Sequence, residues 1–487
     1  MDLVISLDRT ASTPLYQQLA ERLRQAVLQG RLKPCQKLPP SRVLAKSLEI
    51  SRATVTQSYE QLLSEGYLET RCGSGTFVCS QLPDESPIFD SVDQQGPESF
   101  NIEQLSQFGT GLLTMNQMAI PDPQNEISFR LGSPSTEQFP IKLWRQLLSR
   151  HCNNAPELLD YDPDASGYFP LRMAISDYLG RSRAVQCRAE QVIIVNGSQQ
   201  ALKLIVRLQI NSGDRVADED PGYLGARRCF QVQGARLQGI NVDVEGIDVA
   251  VLSQGQQPFK LLYVTPSHQF PTGVTMSLSR RLALLQWAQK TGTLILEDDY
   301  DSEYRYGDRP IPALQGLDQS NTVIYVGTFS KILFPALRLG YLVVPPAWIP
   351  LVSRAKWLCD RQSPLLEQYA LTECIAEGHF ERHIRRMRQL YNQRRQVLVN
   401  ALNHYFGSRV RILGENAGIH LMAKFETTLP DELVIQEAQS LGVGLISAKN
   451  YYLTPRKTGE FIFGYAQLDE TQIERGIQKL FKVLQYF

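Results

Sequence analysis

Val326-Gly327-Thr328-Phe329-Ser330-Lys331 sets a hydroxyl and a lysine in a small-residue turn, and Arg338 follows one short loop later. An apolar run, Val323 to Val326, leads into the turn, and Leu339 to Val344 reads as a second buried strand. Two neighbouring strand ends that hold a lysine between a hydroxyl and an arginine can capture a phosphorylated aldehyde. Lys331 would form the imine, while Thr328 and Arg338 hold the phosphate. A surface lysine in a loop could show the same short string, so the other parts of such a site must be found elsewhere in the chain.

Those parts need a scaffold. Val192 to Val195, Leu261 to Val264, Leu294 to Leu296, Val323 to Val326 and Leu339 to Val344 are short continuous apolar runs separated by helical stretches. Such runs suit strands covered on both faces of an α/β sheet, where ligands sit beyond the strand carboxyl ends. Asn196-Gly197-Ser198-Gln199 lies at one such end and opens a helix, so its amides and the Ser198 hydroxyl make an anion site; a plain helix cap would look the same. Glu297-Asp298-Asp299-Tyr300 lies at another. A carboxylate there can pair with a protonated pyridine nitrogen, and Tyr300 can bond a phenolic oxygen; a solvated acidic loop is the plainer reading. Pro221-Gly222-Tyr223 offers an aromatic face for stacking, or only a turn residue packed on the core.

Taken together, Gly197-Ser198-Gln199, Asp220-Pro221-Gly222-Tyr223, Pro271-Thr272-Gly273, Asp298-x-Tyr300 and Thr328-x-x-Lys331 with Arg338 resemble the fold-type I aminotransferases over roughly residues 128–487. The resemblance implies pyridoxal 5′-phosphate carried on Lys331 as an internal imine, with Asp298 at the pyridine nitrogen and Tyr300 at the phenolate. It implies that Ser198, Gln199, Thr328 and Arg338 hold the phosphate and that Tyr223 stacks on the ring. Tyr161, in Tyr161-Asp162-Pro163-Asp164-Ala165-Ser166-Gly167, resembles the tyrosine that reaches the phosphate of the other subunit, so the body is expected to dimerise. Two positions depart from the pattern. Phe270 stands where those enzymes place an asparagine before Pro-Thr-Gly. Ile462, in Phe461-Ile462-Phe463-Gly464-Tyr465, stands where they place the arginine that clamps a substrate carboxylate, with Arg456 as a substitute for effector binding. Losing that clamp loosens substrate orientation, on which turnover depends.

The bulk composition is that of a folded protein: 487 residues, 43% apolar and 21% charged, enough for roughly two to four domains. No apolar run approaches the ~18 residues of a membrane span. Met1-Asp2-Leu3-Val4-Ile5-Ser6 lacks a basic segment ahead of an apolar one, so no secretory signal is expected and a cytoplasmic location is. Eight scattered cysteines with no C-x-x-C pair suggest thiols in a reducing compartment, with neither disulfides nor a metal site. The charges sum to zero but are zoned. Residues 1–80 hold ten Lys/Arg against seven Asp/Glu, residues 81–129 hold none against eight, and the rest holds forty against thirty-five.

In the head, Thr13-Pro14 reads as a helix start, with Leu15, Leu19, Leu23 and Val27 on one face as far as Gly30. Ser41 can cap a short helix with Val43, Leu44 and Leu48 inward, and Ser51 a third with Val55, Tyr59, Leu62 and Leu63 inward. The outer face of the third helix, Arg52, Thr54, Thr56 and Gln57, suits a DNA major groove. Cys72-Gly73-Ser74-Gly75-Thr76-Phe77-Val78 reads as a hairpin whose glycine tip can approach a phosphate or a minor groove. The order helix, helix, tight turn, polar-faced helix, wing resembles the winged helix-turn-helix of GntR-family regulators. So do the strings Leu38-Pro39-Pro40-Ser41-Arg42, Ser51-Arg52-Ala53-Thr54-Val55 and Gly73-Ser74-Gly75-Thr76-Phe77-Val78. The resemblance implies that Arg42, Ser51, Arg52, Thr54, Thr56 and Gly75 face double-stranded DNA.

Three zones follow: a winged helix-turn-helix (α+β) over 1–80, an acidic linker over 81–127 with a helix near Leu105 to Met118, and an α/β body over 128–487. The fusion, with Thr265 to Gly273 and Glu297-Asp298-Asp299-Tyr300-Asp301-Ser302-Glu303, resembles the MocR/GabR family of bacterial transcription regulators. That implies a head-to-tail homodimer that binds operator DNA and senses pyridoxal phosphate itself or a small amine or amino acid. Two other readings stay open: an aminotransferase with a vestigial head, and a DNA-binding protein whose body holds no cofactor.

Overall fold

Leu19, Leu23 and Val27 line one side of α1 (Leu15–Leu28), where they meet Leu44 and Ala45 of α2 (Ser41–Ser47) and Val55, Tyr59 and Leu62 of α3 (Arg52–Ser64). The computed structural model describes residues 6–71, 73–80, 105–113, 115, 125–153, 158, 160–254, 257–307, 311–454 and 458–485. It falls into two units, Met1–Phe100 and Asn101–Phe487.

In the first unit the Ser51 hydroxyl accepts from the Thr54 amide and so caps α3. The Tyr59 hydroxyl donates to the Pro39 carbonyl and ties α3 to the loop before α2. The wing is an antiparallel pair, β1 (Leu68–Arg71) and β2 (Gly75–Val78), with Arg71 opposite Gly75. Gly73 and Gly75 carry φ of 72° and 110°, the left-handed region that favours glycine in a tight tip. Three local expectations shift. Pro14 rather than Thr13 precedes α1, and Ser41 is the first residue of α2 rather than its cap. Val43 is 58% exposed, because Leu44 and Ala45 already fill the inner face of a helix only seven residues long and their immediate neighbour points elsewhere.

The second unit opens with the helix Gln107–Leu113, shorter than the stretch from Leu105 to Met118 suggested, and most of the expected linker lies outside the described residues. Gln107 donates to the Ser212 hydroxyl, and Gly111 of this helix lies against Val232. β3 (Ile127–Ser128) pairs with β14 (Val443–Gly444). The main sheet has eight strands: β4 (Val192–Val195), β5 (Arg215–Asp220), β6 (Arg236–Asp243), β7 (Gly246–Ile247), β8 (Leu261–Val264), β9 (Leu294–Asp299), β10 (Val323–Thr328) and β11 (Gly340–Val343). Their order is β4-β11-β10-β9-β8-β5-β6-β7. β10, β9, β8, β5 and β6 run parallel, while β11 is antiparallel to both its neighbours. Every residue of β4, β8, β9, β10 and β11 is buried, as expected for strands covered by helices on both faces. A second, antiparallel sheet of β12 (Val410–Leu413), β13 (His420–Phe425), β15 (Ile446–Ser447) and β16 (Glu460–Gly464) packs against the helices His379–Phe406 and Glu470–Gln485. Among the described residues no helix is long and apolar enough to cross a membrane.

Candidate functional site

The parallel strands end together, and their ends carry the chemistry. Thr265 follows β8, Asp298 and Tyr300 lie at the end of β9, and Thr328, Ser330 and Lys331 lie at the end of β10. With Ser198, Gln199, Tyr223 and Arg338 they line one cavity of about 200 Å³.

Lys331 reaches into this cavity and donates from Nζ to the Gly132 carbonyl at 2.5 Å. Gly132 has φ 73°, and a Cβ there would fall 2.6 Å from Nζ, so only glycine leaves the lysine its place. Burial holds the Lys331 ammonium below its usual pKa, against the pull of Asp301 and Asp298. The neutral amine, the form that attacks a carbonyl, is correspondingly favoured.

Asp298 is 4% exposed. The Tyr263 hydroxyl donates to its Oδ2 at 2.8 Å, while Oδ1 is buried with no partner. Burial pushes its pKa up to about 7. An unpartnered buried carboxylate oxygen is costly unless a donor or cation meets it.

The anion end is built from backbone. The helix Ser198–Gln209 has Gly197 at its cap, and its first amides have no intrahelical acceptor. Arg338 donates to the Asn196 carbonyl beside it. Gly197, at φ 84°, allows this approach, since a Cβ would lie 2.8 Å from the Arg338 guanidinium. The Thr328 hydroxyl accepts from the Ser330 amide, which orders the turn before Lys331. Gln199 donates to the Tyr223 hydroxyl, and the Tyr223 ring stands edge-on to Phe270 with centroids 5.5 Å apart.

These groups suit pyridoxal 5′-phosphate: an amine for its aldehyde, an unpartnered carboxylate oxygen for a pyridine N–H, a helix start with a guanidinium for its phosphate, and an aromatic ring beside them. Three anticipated residues stand apart from that set. Tyr300 lines the cavity, but its hydroxyl donates to the His268 carbonyl at 2.9 Å. Tyr161 is 68% exposed, with the Arg361 guanidinium over its ring, and does not line the cavity. Arg456 lies outside the described residues. Sequence reasoning missed Gly132, Tyr263 and His420, which also line the cavity.

A buried acid–imidazole group underlies this site. His268 Nδ1 contacts Asp301 at 3.0 Å, and the His420 ring lies 4.7 Å from that of His268. Gly418 fits beside them only because it has no Cβ.

In the head, Arg42, Ser51, Arg52 and Gly75 are exposed, and Thr54 and Thr56 are half-buried. The Ser51 and Thr54 hydroxyls hydrogen-bond each other, and Arg52 Nε donates to Ser41 at 3.4 Å. A groove lined by Lys37, Ser41, Thr56, Glu60, Ser74 and Thr76 separates α3 from the wing tip.

Comparison with known proteins gives two family matches. Residues 127–480 match aminotransferase class I and II, and residues 15–78 match the gntR family of bacterial regulatory proteins. The chain is 40% identical to the probable rhizopine catabolism regulatory protein MocR of Rhizobium meliloti, covering 98% of this chain and 95% of that one. It is 30% identical to the pyridoxine biosynthesis transcriptional regulator PdxR of Corynebacterium glutamicum, covering 96% of each. Among solved structures, the α-aminoadipate aminotransferase LysN of Thermus thermophilus, complexed with N-(5′-phosphopyridoxyl)-L-leucine, superposes with a TM-score of 0.69. It is 29% identical, over 79% of this chain and 95% of that one. A DNA-binding winged helix on an aminotransferase fold, matched end to end by named regulators, places the chain in the MocR/GabR family of transcription regulators.

Proposed function

We propose that this regulator binds operator DNA through its head and senses pyridoxal 5′-phosphate, or an amine or amino acid that reacts with it, through its body. The observation that carries the reading is the pairing of Lys331 with the unpartnered Oδ1 of Asp298 in one cavity. When bound, the cofactor supplies an aldehyde that amines can reach and a ring that withdraws electrons when its nitrogen is protonated. Lys331 would hold the aldehyde carbon, and Asp298 would hold a proton on the ring nitrogen. The helix start at Ser198, with Gln199, Thr328 and Arg338, would hold the phosphate, and Tyr223 would stack on the ring. Tyr300 would bond the phenolic oxygen, giving up the hydrogen bond of its hydroxyl to His268.

In the same reading the chain divides into a head over 1–80, a linker over 81–127 and a body over 128–487, and works in the cytoplasm as a head-to-tail homodimer. The exposed Tyr161 belongs to that dimer, where it reaches the phosphate of the other subunit, and Arg456 is the outlying candidate for effector contact. Arg42, Ser51, Arg52, Thr54, Thr56 and Gly75 form the DNA face. A ligand moves the heads only by binding one arrangement of the dimer better than another.

The test is operator affinity, measured by fluorescence anisotropy on a DNA selected in vitro, with and without pyridoxal phosphate and across a panel of amines. The reading expects affinity or DNA footprint to change with the cofactor or with an amine in its presence, and Lys331→Ala to abolish the change. Binding that ignores both additions contradicts it. Sustained amino-group exchange between an amino acid and a keto acid at ordinary enzyme rates would favour the enzyme reading instead.

A further inference from the structure

β8 and β9 are parallel neighbours, so the chain leaves both at the same edge of the sheet. His268 stands in the loop after β8, and Tyr300 and Asp301 follow β9 directly. His268 and Asp301 are buried, whereas Tyr300 is half-buried and lines the cavity. Two glycines hold the imidazole edgewise. A Cβ on Gly418 would overlap its Cε1–Nδ1 edge, and one on Gly273 would fall 2.9 Å from Nε2. The Tyr300 ring lies parallel to that of His420 and edge-on to Phe270, with centroids 6.4 and 6.0 Å away.

The hydrogen bonds fix where the protons sit. Nδ1 of His268 faces three oxygens: Oδ1 and Oδ2 of Asp301 at 3.0 and 3.1 Å, and the Tyr300 hydroxyl at 3.1 Å. A carboxylate only accepts, and Oδ2 of Asp301 also takes the Ile419 amide at 3.2 Å, so the His268 proton belongs on Nδ1. Nε2 has no hydrogen-bond partner among the described residues, and a proton there would satisfy nothing. The Tyr300 hydroxyl lies 2.9 Å from the His268 carbonyl, which also only accepts, so the tyrosine donates there. Burial, reinforced by Asp301 and Asp298, holds that hydroxyl well above its usual pKa and keeps it a donor. The tyrosine oxygen thus receives a hydrogen bond from Nδ1 and gives its own proton elsewhere. Were the imidazole proton on Nε2, Nδ1 would compete for the tyrosine proton instead.

We propose that His268 is a positioning residue for Tyr300: its Nδ1–H, fixed by Asp301, holds the tyrosine oxygen at the cavity edge and leaves the tyrosine proton free to be donated to the phenolic oxygen of the cofactor. The proposal rests on the body holding pyridoxal phosphate at Lys331 with Tyr300 on that oxygen. It adds the pair of residues behind the tyrosine, through which donors in series strengthen one another.

The test uses the full chain loaded with pyridoxal phosphate, and reads the pH midpoint at which its visible absorption changes. A donor on the phenolic oxygen weakens that oxygen's hold on the proton it shares with the Lys331 nitrogen, so losing the donor lets the proton leave only at higher pH. Tyr300→Phe is expected to raise the midpoint by about one pH unit, the scale of one lost hydrogen bond. His268→Leu is expected to raise it by a similar amount, and to add nothing when combined with Tyr300→Phe. His268→Asn, whose amide N–H can stand in for Nδ1–H, is expected to keep the midpoint of the parent. Asp298, Asp299, Asp301, Glu219, Arg130 and Arg338, whose charges act on Lys331 or Tyr300, are retained in every variant, as is the neutral His420. A shift routed through Asp301 rather than Tyr300 would persist in the double variant. Three results would overturn the proposal: His268→Leu leaving the midpoint of the parent, His268→Leu shifting it equally in the presence of Tyr300→Phe, or His268→Asn moving it as far as Tyr300→Phe does. The last comparison holds even where His268→Leu fails to fold. Failure of the parent to take up the cofactor is seen first, from the absence of visible absorption, and overturns the underlying reading as well.

Discussion

Replacing Asp298 by asparagine should separate the stability of the body from its affinity for the cofactor. The carboxyl is buried at the end of β9, and burial raises its pKa to about 7. In an unfolded chain an aspartate titrates at about 3.9, so an ionised Asp298, met only by the Tyr263 hydroxyl, costs the fold on the order of 4 kcal/mol. The sign follows from the raised value. Below about pH 4 the carboxyl is protonated in both states and the cost vanishes. It grows as the pH rises and is fully present once the pH passes about 7. Asp298→Asn carries no charge and keeps an oxygen for the Tyr263 hydroxyl. Without cofactor, the variant should therefore melt higher than the parent at pH 8, with the gap closing towards pH 5. With cofactor the balance reverses, because the ionised partner of a protonated ring nitrogen is gone. A hydrogen bond to a charged group contributes about 1.5–3 kcal/mol, which corresponds to about 10- to 100-fold weaker binding of pyridoxal phosphate. Calorimetric melting at both pH values and a spectroscopic titration would measure the two effects. A variant that melts lower at pH 8, or that binds the cofactor as the parent does, would refute the reasoning.

Three further outcomes are expected. Gly132→Ala places a methyl group 2.6 Å from Lys331 Nζ and strains a residue at φ 73°, so it should suppress cofactor uptake while leaving DNA binding of the cofactor-free protein unchanged; equal uptake by the two proteins would count against the Gly132 contact. Arg227→Ala should destabilise the body by about 3–5 kcal/mol, because it strands the buried Asp218 and empties two backbone carbonyls, those of Glu219 and Tyr451; an unchanged denaturant midpoint would contradict this. Arg52→Ala should weaken operator binding by about 1–3 kcal/mol if the guanidinium reads a base, and an unaltered gel shift would remove it from the reading face.

The apolar strands were legible because each is a continuous hydrophobic run: Val192–Val195 and Leu261–Val264 appear in the structure with the same ends. β5 was not, because Arg215–Asp220 reads as charged surface. Asp218, Glu219 and Asp220 are nevertheless buried there. Arg227 pairs with Asp218 and Asp220, and Thr265 and Gln269 donate to Glu219, whose pKa burial pushes up to about 8. Only the tertiary partners make that strand intelligible, and an arginine opposite an acidic triplet is too weak a local signal to find it. The cavity was legible where its lining is a side chain near a strand end, as at Lys331, Asp298 and Ser198. Gly132 escaped because it acts through a carbonyl contributed from 199 residues away in the chain. His420 escaped because nothing in its own strand distinguishes a histidine facing a cavity from one facing a core. The helix starts at Pro14 and Ser41 moved by single residues, where a hydroxyl beside a proline was read as a cap and the structure uses the proline instead.

The central claim is that one lysine captures the aldehyde. Protein incubated with pyridoxal phosphate, reduced with borohydride, digested and mapped by mass spectrometry tests it directly. The expected result is a phosphopyridoxyl adduct on the peptide containing Lys331 and none in the Lys331→Ala protein. No adduct, or one spread over surface lysines and retained in that variant, would contradict the account.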